Sequence, residues 1–392
     1  VTRVRELDLG DLALDRGAHL LVKRALRDVE PGAPLRVAGR AKDLVETLRA
    51  YCRGQGHTVV EAAAGVAVVV RGPARGRLAG ADVTSPTEVV EHPPARWGLA
   101  ARGAIVEAGA LAFDFPLSEK AVVWSDDAAR LYALAAAAQW DPATAIPWDT
   151  PFVLDDDVED AVVQVMTYLI ENETAALVVP ARLASQLHPH FREVLQLLAV
   201  QAADEARHIE VFTRRALLKR TELGLSTVGG QTSLKTLVDE QDFALAGLLL
   251  SVLGEGSFLS LLAFLRDHAP DPVTRAVAQL SGQDEARHVA FGLSHLERHL
   301  RHEPSLKSRL AAAIRARHDT LAATAGLNEE VFDALVLLAA GSWEPAALER
   351  GWDAVVALTL DMDTGRRMRL GRLGFGEREA EELSALHTRN FM

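Results

Sequence analysis

The pentapeptide DEARH occurs at 204–208 and again at 284–288, so the chain twice sets a glutamate three residues before a histidine: Glu205 with His208, and Glu285 with His288. Residues three apart share a helix face, where this pair offers an oxygen and a nitrogen donor to one point. The periodicity places both pairs on apolar stripes. Phe191, Leu195, Leu198, Ala202, Glu205, His208 and Phe212 advance by threes and fours, and so do Val277, Ser281, Glu285, His288 and Gly292. A carboxylate on a buried stripe is costly unless it is paired or neutralised, so each pair requires a partner.

Partners stand upstream. Glu173 lies on the stripe Val162, Met166, Leu169, Glu173, Leu177, and Glu255 on Leu248, Val252, Glu255, Leu259, Leu262. Pro189 is midway between Glu173 and Glu205, and Pro270 midway between Glu255 and Glu285. Helices that turn back there, with arms of roughly 22 Å, set each upstream Glu level with the following pair. Four carboxylates and two imidazoles then converge, the ligand set of a carboxylate-bridged dinuclear metal centre. Two divalent cations would balance the four negative charges, and oxygen and nitrogen donors without thiolate suit iron, with Mn or Zn also accommodated. Glu171 competes with Glu173, but the two point about 200° apart on a helix. The stripe selects Glu173 and leaves Glu171 facing outward or supporting the ligands. Asp204 and Asp284 precede the ligand glutamates, and a metal-bound histidine donates its other N–H to such a group. Each Asp is expected to hold the histidine of the opposite pair, with Arg207 and Arg287 neutralising it; the plain alternative is helix-surface ion pairs.

The elements that must position these residues follow from the pattern. Long helical segments are expected at 157–187, 190–220, 232–267 and 273–301, and shorter ones at 305–325, 328–341, 345–360 and 377–388. Before residue 125, β-type runs such as TVVEAAAGVAVVV (58–70) alternate with helical runs such as AKDLVETLRAYCRGQ (41–55). The Gly/Pro/Ala-rich stretch 71–125 reads as linker or extra strands, and QWDPATAIPWDTP (139–151) as an extended entry to the helices. The basic RRMRLGR (366–372) reads as a solvated helix end.

A net charge of −12 argues against nucleic acid and anionic membrane surfaces as partners. One cysteine, Cys52, excludes an internal disulfide and a thiolate metal site, and fits a reducing cytoplasm. VTRVRELDLG has no signal-peptide core. The longest apolar run, Phe243 to Phe258, is interrupted by Gly254 and Glu255, so no membrane span is expected.

With these residues in place, Glu173, Glu205/His208, Glu255 and Glu285/His288 resemble the ligands of the ferritin-like di-iron carboxylate oxygenases and oxidases. The likeness spans roughly 155–305. The D-E-x-R-H form is most similar to the hydroxylase subunits of bacterial multicomponent monooxygenases, and also resembles the small subunit of class I ribonucleotide reductase and di-iron N-oxygenases. Aminoarene N-oxygenases carry a further His where this chain has Ser281. A radical-generating role would need a placed tyrosine, for which Tyr168 is the candidate. A second resemblance, over about 5–72, is to the βαβαββ sulfur-carrier domain of the TusA type. Its Cys-Pro-x-Pro positions read Leu14, Asp15, Arg16 and Gly17 here, so sulfur transfer does not carry over, and a docking, dimerisation or lid role is left.

The expected fold is therefore multidomain α+β: a TusA-like α/β domain at 1–75, a linker or extra strands at 76–125, and a ferritin-like four-helix bundle with extra C-terminal helices at 126–392. The resemblance implies two Fe ions, with Mn possible at one position, and O2 as co-substrate. It implies hydroxylation or N-oxygenation of a small organic substrate, with a ferredoxin or reductase as electron donor, in a cytoplasmic homodimer. The alternatives are a desaturase-type oxidase and a non-enzymatic iron-binding protein. Ser281, Gly282, Gly254, Gly256 and Gly292 beside the ligands serve either substrate space or tight helix packing.

Overall fold

The computed structural model of the chain describes residues 4–73, 78, 80–322 and 329–387. They divide into two compact units, Val1–Glu88 with Pro94–Phe113, and Val89–Pro93 with Asp114–Met392.

In the first unit the order is β1 (Arg5–Asp8), α1 (Ala18–Arg27), β2 (Pro34–Ala38), α2 (Leu44–Gly54), β3 (Thr58–Ala63) and β4 (Val66–Val70). The sheet order is β1-β2-β4-β3; β1 and β2 are parallel and the other pairs antiparallel. Strand alternation buries Leu35 and Val37 of β2 and Ala67 and Val69 of β4. Four-residue steps bury Ala18, Val22 and Leu26 of α1, and Leu44, Leu48 and Cys52 of α2, against them. A two-stranded ribbon of β5 (Asp82–Val83) and β6 (Ile105–Val106) follows within 71–125. Leu14–Arg16 form a tight turn entering α1. Cys52 is buried, and burial pushes its thiol up to about 11, which makes it a packing residue.

The second unit is helical. Short α3 (Lys120–Val123) and α4 (Ala128–Ala137) lead to α5 (Asp156–Gln186) and α6 (Arg192–Ala216), which pack together as a hairpin. Next come α7 (Val228–Val238), α8 (Phe243–Gly247), a π-helical segment Leu248–Glu255, and α9 (Gly256–Asp267). α9 packs on α10 (Pro272–His302), and α10 on α6. The start of α10 is written locally: Asp271 accepts from Val273 and Thr274 N–H at 2.9 and 2.8 Å, with Pro272 in the first turn. α11 (Leu306–Ala322), α12 (Glu329–Ala340), α13 (Pro345–Arg372) and α14 (Glu377–Ala385) complete the unit; α12 lies on α5 and α13 on α9.

Three sequence expectations change. The helix expected over 232–267 breaks between Val238 and Phe243, where the Asp242 side chain caps a new helix through the N–H groups of Ala244 and Leu245. The RRMRLGR stretch is the end of α13 and is partly interior. Arg366 follows Met362 and precedes Leu370 on a buried stripe and bonds Ser257 and Ser384, whereas Arg372 stays exposed. By length and hydropathy alone, Asp156–Gln186 and Phe243–Asp267 are apolar enough to cross a membrane. Their most apolar windows are 67% and 78% buried inside the protein, so that apolarity is largely taken up by the core.

Candidate metal centre

Glu173 on α5, Glu205 and His208 on α6, Glu255 at the end of the π-helical segment, and Glu285 and His288 on α10 meet inside the helical unit. Two groups of donor atoms form, each within 4.8 Å: Glu173, Glu205, His208 and Glu285, and Glu205, Glu255, Glu285 and His288. Glu205 and Glu285 are common to both. All six side chains are buried, none more than 4% exposed. His208 Nδ1 lies 3.0 Å from Glu205, 3.2 Å from Glu285 and 3.6 Å from Glu173. His288 Nδ1 mirrors it, 3.1 Å from Glu205, 3.4 Å from Glu285 and 3.9 Å from Glu255.

These approaches are not aligned hydrogen bonds. Both Nδ1 atoms, both oxygens of Glu205 and of Glu285, Glu173 Oε1 and Glu255 Oε2 are buried without a hydrogen-bond partner. So many orphaned acceptors at one point are a buried-polar cost that ordinary packing does not tolerate. The cluster is of a kind that can bind metal.

The ionisation pattern has the same origin. Burial, then the charges of Glu285 and Glu205, hold Glu173 well above the usual carboxylate range; burial, then Glu285, does so for Glu255. Burial would raise Glu205 too, but His288 and His208 outweigh it and hold that carboxyl low. Burial would lower both histidines, yet surrounding carboxylates, Asp284 first at His208 and Glu205 first at His288, raise them well above the usual imidazole value.

The outward nitrogens are held crosswise. His208 Nε2 is 3.2 Å from Asp284 Oδ2, and His288 Nε2 is 3.3 Å from Asp204 Oδ2. Arg207 Nη2 donates to Asp204 (2.5 Å) and to Asp284 (2.8 Å). Arg287 pairs with Asp284 and stands 3.9 Å from Asp204. Both aspartates are buried, which sets aside the helix-surface alternative. Burial would raise Asp284, but His208, Arg207 and Trp140 together hold it low. Glu171 is outside the cluster; it lines a depression between α5 and α7.

Three contributors escaped the sequence reading. Gln139 Nε2 donates to Asp204 (2.8 Å), Trp140 Nε1 donates to Asp284 (2.8 Å), and Arg207 lies 4.6 Å above the Trp140 ring. Both open the stretch read only as an entry to the helices, where no periodicity sets a register. Gln201 donates to Glu255 Oε1 at 2.8 Å; its signal was available, since it stands one turn before Glu205 on the same face. The small residues serve packing at two positions. A Cβ on Gly256 would strike Arg369 and one on Gly292 would strike Ser251.

The fold and site define a mostly helical protein with a buried carboxylate–histidine cluster. No protein-family model and no curated protein matches the chain. Among solved structures it is similar to a variant of an R2-like ligand-binding oxidase with an aerobically reconstituted Mn/Fe cofactor, at 16% identity over 65% of this chain and 94% of that one, TM-score 0.48. A Synechococcus protein with aldehyde deformylating oxidase activity is similar at 18% identity over 58% and 96%, TM-score 0.43. An R2-like ligand-binding oxidase from Sulfolobus acidocaldarius is similar at 17% identity over 66% and 94%, TM-score 0.42. At such identities the chemistry has to be read from this chain's own side chains.

Proposed function

We propose that the chain is an O2-dependent, non-haem di-metal oxidoreductase, an oxygenase or oxidase that hydroxylates or N-oxygenates a small organic substrate. The observation that carries this reading is the pair of donor groups sharing Glu205 and Glu285, with unpartnered oxygens and Nδ1 atoms aimed inward. Glu173 and His208 would hold one ion and Glu255 and His288 the other, with Glu205 and Glu285 reaching both. When bound, two iron ions, or iron with Mn at one position, would supply electrons and a binding place for O2. Asp284 and Asp204 would hold the outer Nε2–H of each histidine, so that an ion displacing the Nδ1 proton would find the lone pair directed inward. The buried helices keep water from the cluster. Putting one oxygen atom of O2 into a substrate and reducing the other to water takes two external electrons, and a ferredoxin or reductase is the proposed donor. A cytoplasmic homodimer whose N-terminal unit serves docking completes the proposal.

Anaerobic Fe(II) loading, metal analysis, and O2 uptake with product profiling under a chemical reductant test the reading. About two ions per chain and substrate-dependent O2 uptake are expected. Loading unchanged in a Glu205→Ala/Glu285→Ala double variant would remove the metal centre. Slow growth of an iron core without product would favour iron storage, and a desaturated product would favour the desaturase-type oxidase.

A further inference from the structure

Glu255 reaches the cluster from the least regular helix of the unit, and α13 touches that helix at the same place. Leu248–Glu255 is π-helical over eight residues, and the N–H of Gly256 reaches the Ser251 carbonyl, five residues back. Wide turns of this kind are rare and mostly confined to a single turn, so a run of this length needs support from outside. Arg369 of α13 gives it: its Nε donates to the Val252 carbonyl at 2.8 Å. The guanidinium is seated in a slot left by two glycines. A Cβ on Gly256 would stand 2.5 Å from its Cζ, and one on Gly365, a turn earlier on α13, 2.9 Å from its Nη1. Glycine inside a helix costs about 1 kcal/mol relative to alanine, so helix propensity does not account for the slot.

Nor does packing account for the arginine. Its Nη2 is buried with no hydrogen-bond partner, and among the described residues the guanidinium has no ion pair. Burial, then the charge of Arg366, pushes it down to about 10. Arg215, by contrast, is clamped by Glu159 (2.6 Å) and Asp271 (2.8 Å). A methionine would fill the slot without the penalty of an unpaired buried charge. What arginine adds is a donor fixed on a backbone carbonyl three residues before Glu255. That carboxylate is otherwise held by Gln201 on Oε1 and has Oε2 unpartnered.

We propose that Arg369 is a positioning residue: seated between Gly256 and Gly365 and bonded to the Val252 carbonyl, it holds the π-helical segment in the register that brings Glu255 to the cluster. The helix α13 is then part of the metal centre and not only a cover over it. The consequence for Glu255 rests on the metal reading; the backbone contact does not.

Two measurements on the full chain test this, one without metal and one with it. In the metal-free protein, hydrogen exchange read by mass spectrometry should show the amides of 252–257 exchanging about tenfold faster or more in Arg369→Met, the loss of one hydrogen bond from a charged donor. Amides of α6 and α10 should keep their wild-type rates. With Co(II) as the probe and a chelator in competition, the wild type should bind two ions. Arg369→Met should keep one of them at wild-type affinity and bind the other about 10–100-fold more weakly. Gly256→Ala, which keeps Arg369 but blocks its seat, should reproduce that selective loss. Arg366→Met is the control for losing a buried arginine of α13, since its donors reach the side chains of Ser257 and Ser384; it should leave both ions in place. The proposal is overturned if 252–257 exchange as in the wild type, if Arg369→Met loosens both ions equally or neither, or if Arg366→Met has the same effect. A wild type that binds no pair of ions would instead remove the metal reading, while the exchange rates still decide whether Arg369 holds the segment. Gly256→Ala decides the matter if Arg369→Met does not fold, and both ions at wild-type affinity in it would overturn the proposal.

Discussion

His208 and His288 each present Nδ1 to the carboxylates and Nε2 to an aspartate of the opposite helix, and that choice of nitrogen decides what the cluster can do. An imidazole whose Nε2 carries the proton has its lone pair on Nδ1, aimed where a cation would sit. Spacing puts the six ligands on inward stripes, and the need of a metal-bound histidine for a partner on its other nitrogen pairs each Asp with the opposite one. Which ring nitrogen faces which group depends on rotamers, which are not written in spacing. Asp284→Ala should therefore loosen the ion at the Glu173/His208 position, and Asp204→Ala the one at Glu255/His288, each by about 10–100-fold. Competition against a chelator of known affinity measures this, with circular dichroism to show that the fold persists. Wild-type affinity in both variants would reduce the aspartates to charge partners of Arg207 and Arg287.

Among the elements, α10 holds the cluster near its middle and anchors α3 two turns further on, through His295. That side chain is buried, and its Nε2–H donates to the Val122 carbonyl at 2.6 Å. Burial pushes its pKa down to about 4. Between the unfolded value of about 6.5 and that folded value, the unfolded chain takes up a proton that the folded chain refuses. Stability from this group is thus present above pH 6.5 and lost as the pH falls. The full effect is about 3 kcal/mol, from about 1.4 kcal/mol per unit. In urea unfolding from about pH 7 to pH 4.5, the stability difference between wild type and His295→Gln should shrink steadily on acidification. A difference independent of pH would show that His295 is not buried neutral. The π-helical segment that brings Glu255 to the cluster was legible only as a helix. Residues 248–253 are buried all round, so their apolar pattern has no phase from which a wide turn could be told from a regular one.

Across the whole molecule, legibility followed periodicity. Long helices announced themselves because each buries one stripe, and the ligands were found as polar interruptions of those stripes. The β5–β6 ribbon had no such signal, because two-residue strands carry no alternation, and 71–125 could be read only as linker or strands. Arg366 was misread because a charge normally marks solvent, whereas here the long stem lies along a buried stripe and the head meets two serines. The two units have apolar cores with no residue in common, and every proposed metal ligand belongs to the second. Separate cores allow separate unfolding transitions, and only a state that binds metal is stabilised by it. Calorimetry of the loaded chain should then resolve one transition that chelation leaves in place and a larger one that it lowers. At a thousandfold excess over the dissociation constant the metal contributes about 4 kcal/mol, which for a unit of this size is a shift of about 7 °C. The unmoved transition belongs to the βαβαββ unit, whose core contains none of the ligands. If chelation moved both transitions equally, or neither, the metal-dependent stability would not reside in the helical unit alone, and the centre assigned to Glu205 and Glu285 would have to be sought elsewhere.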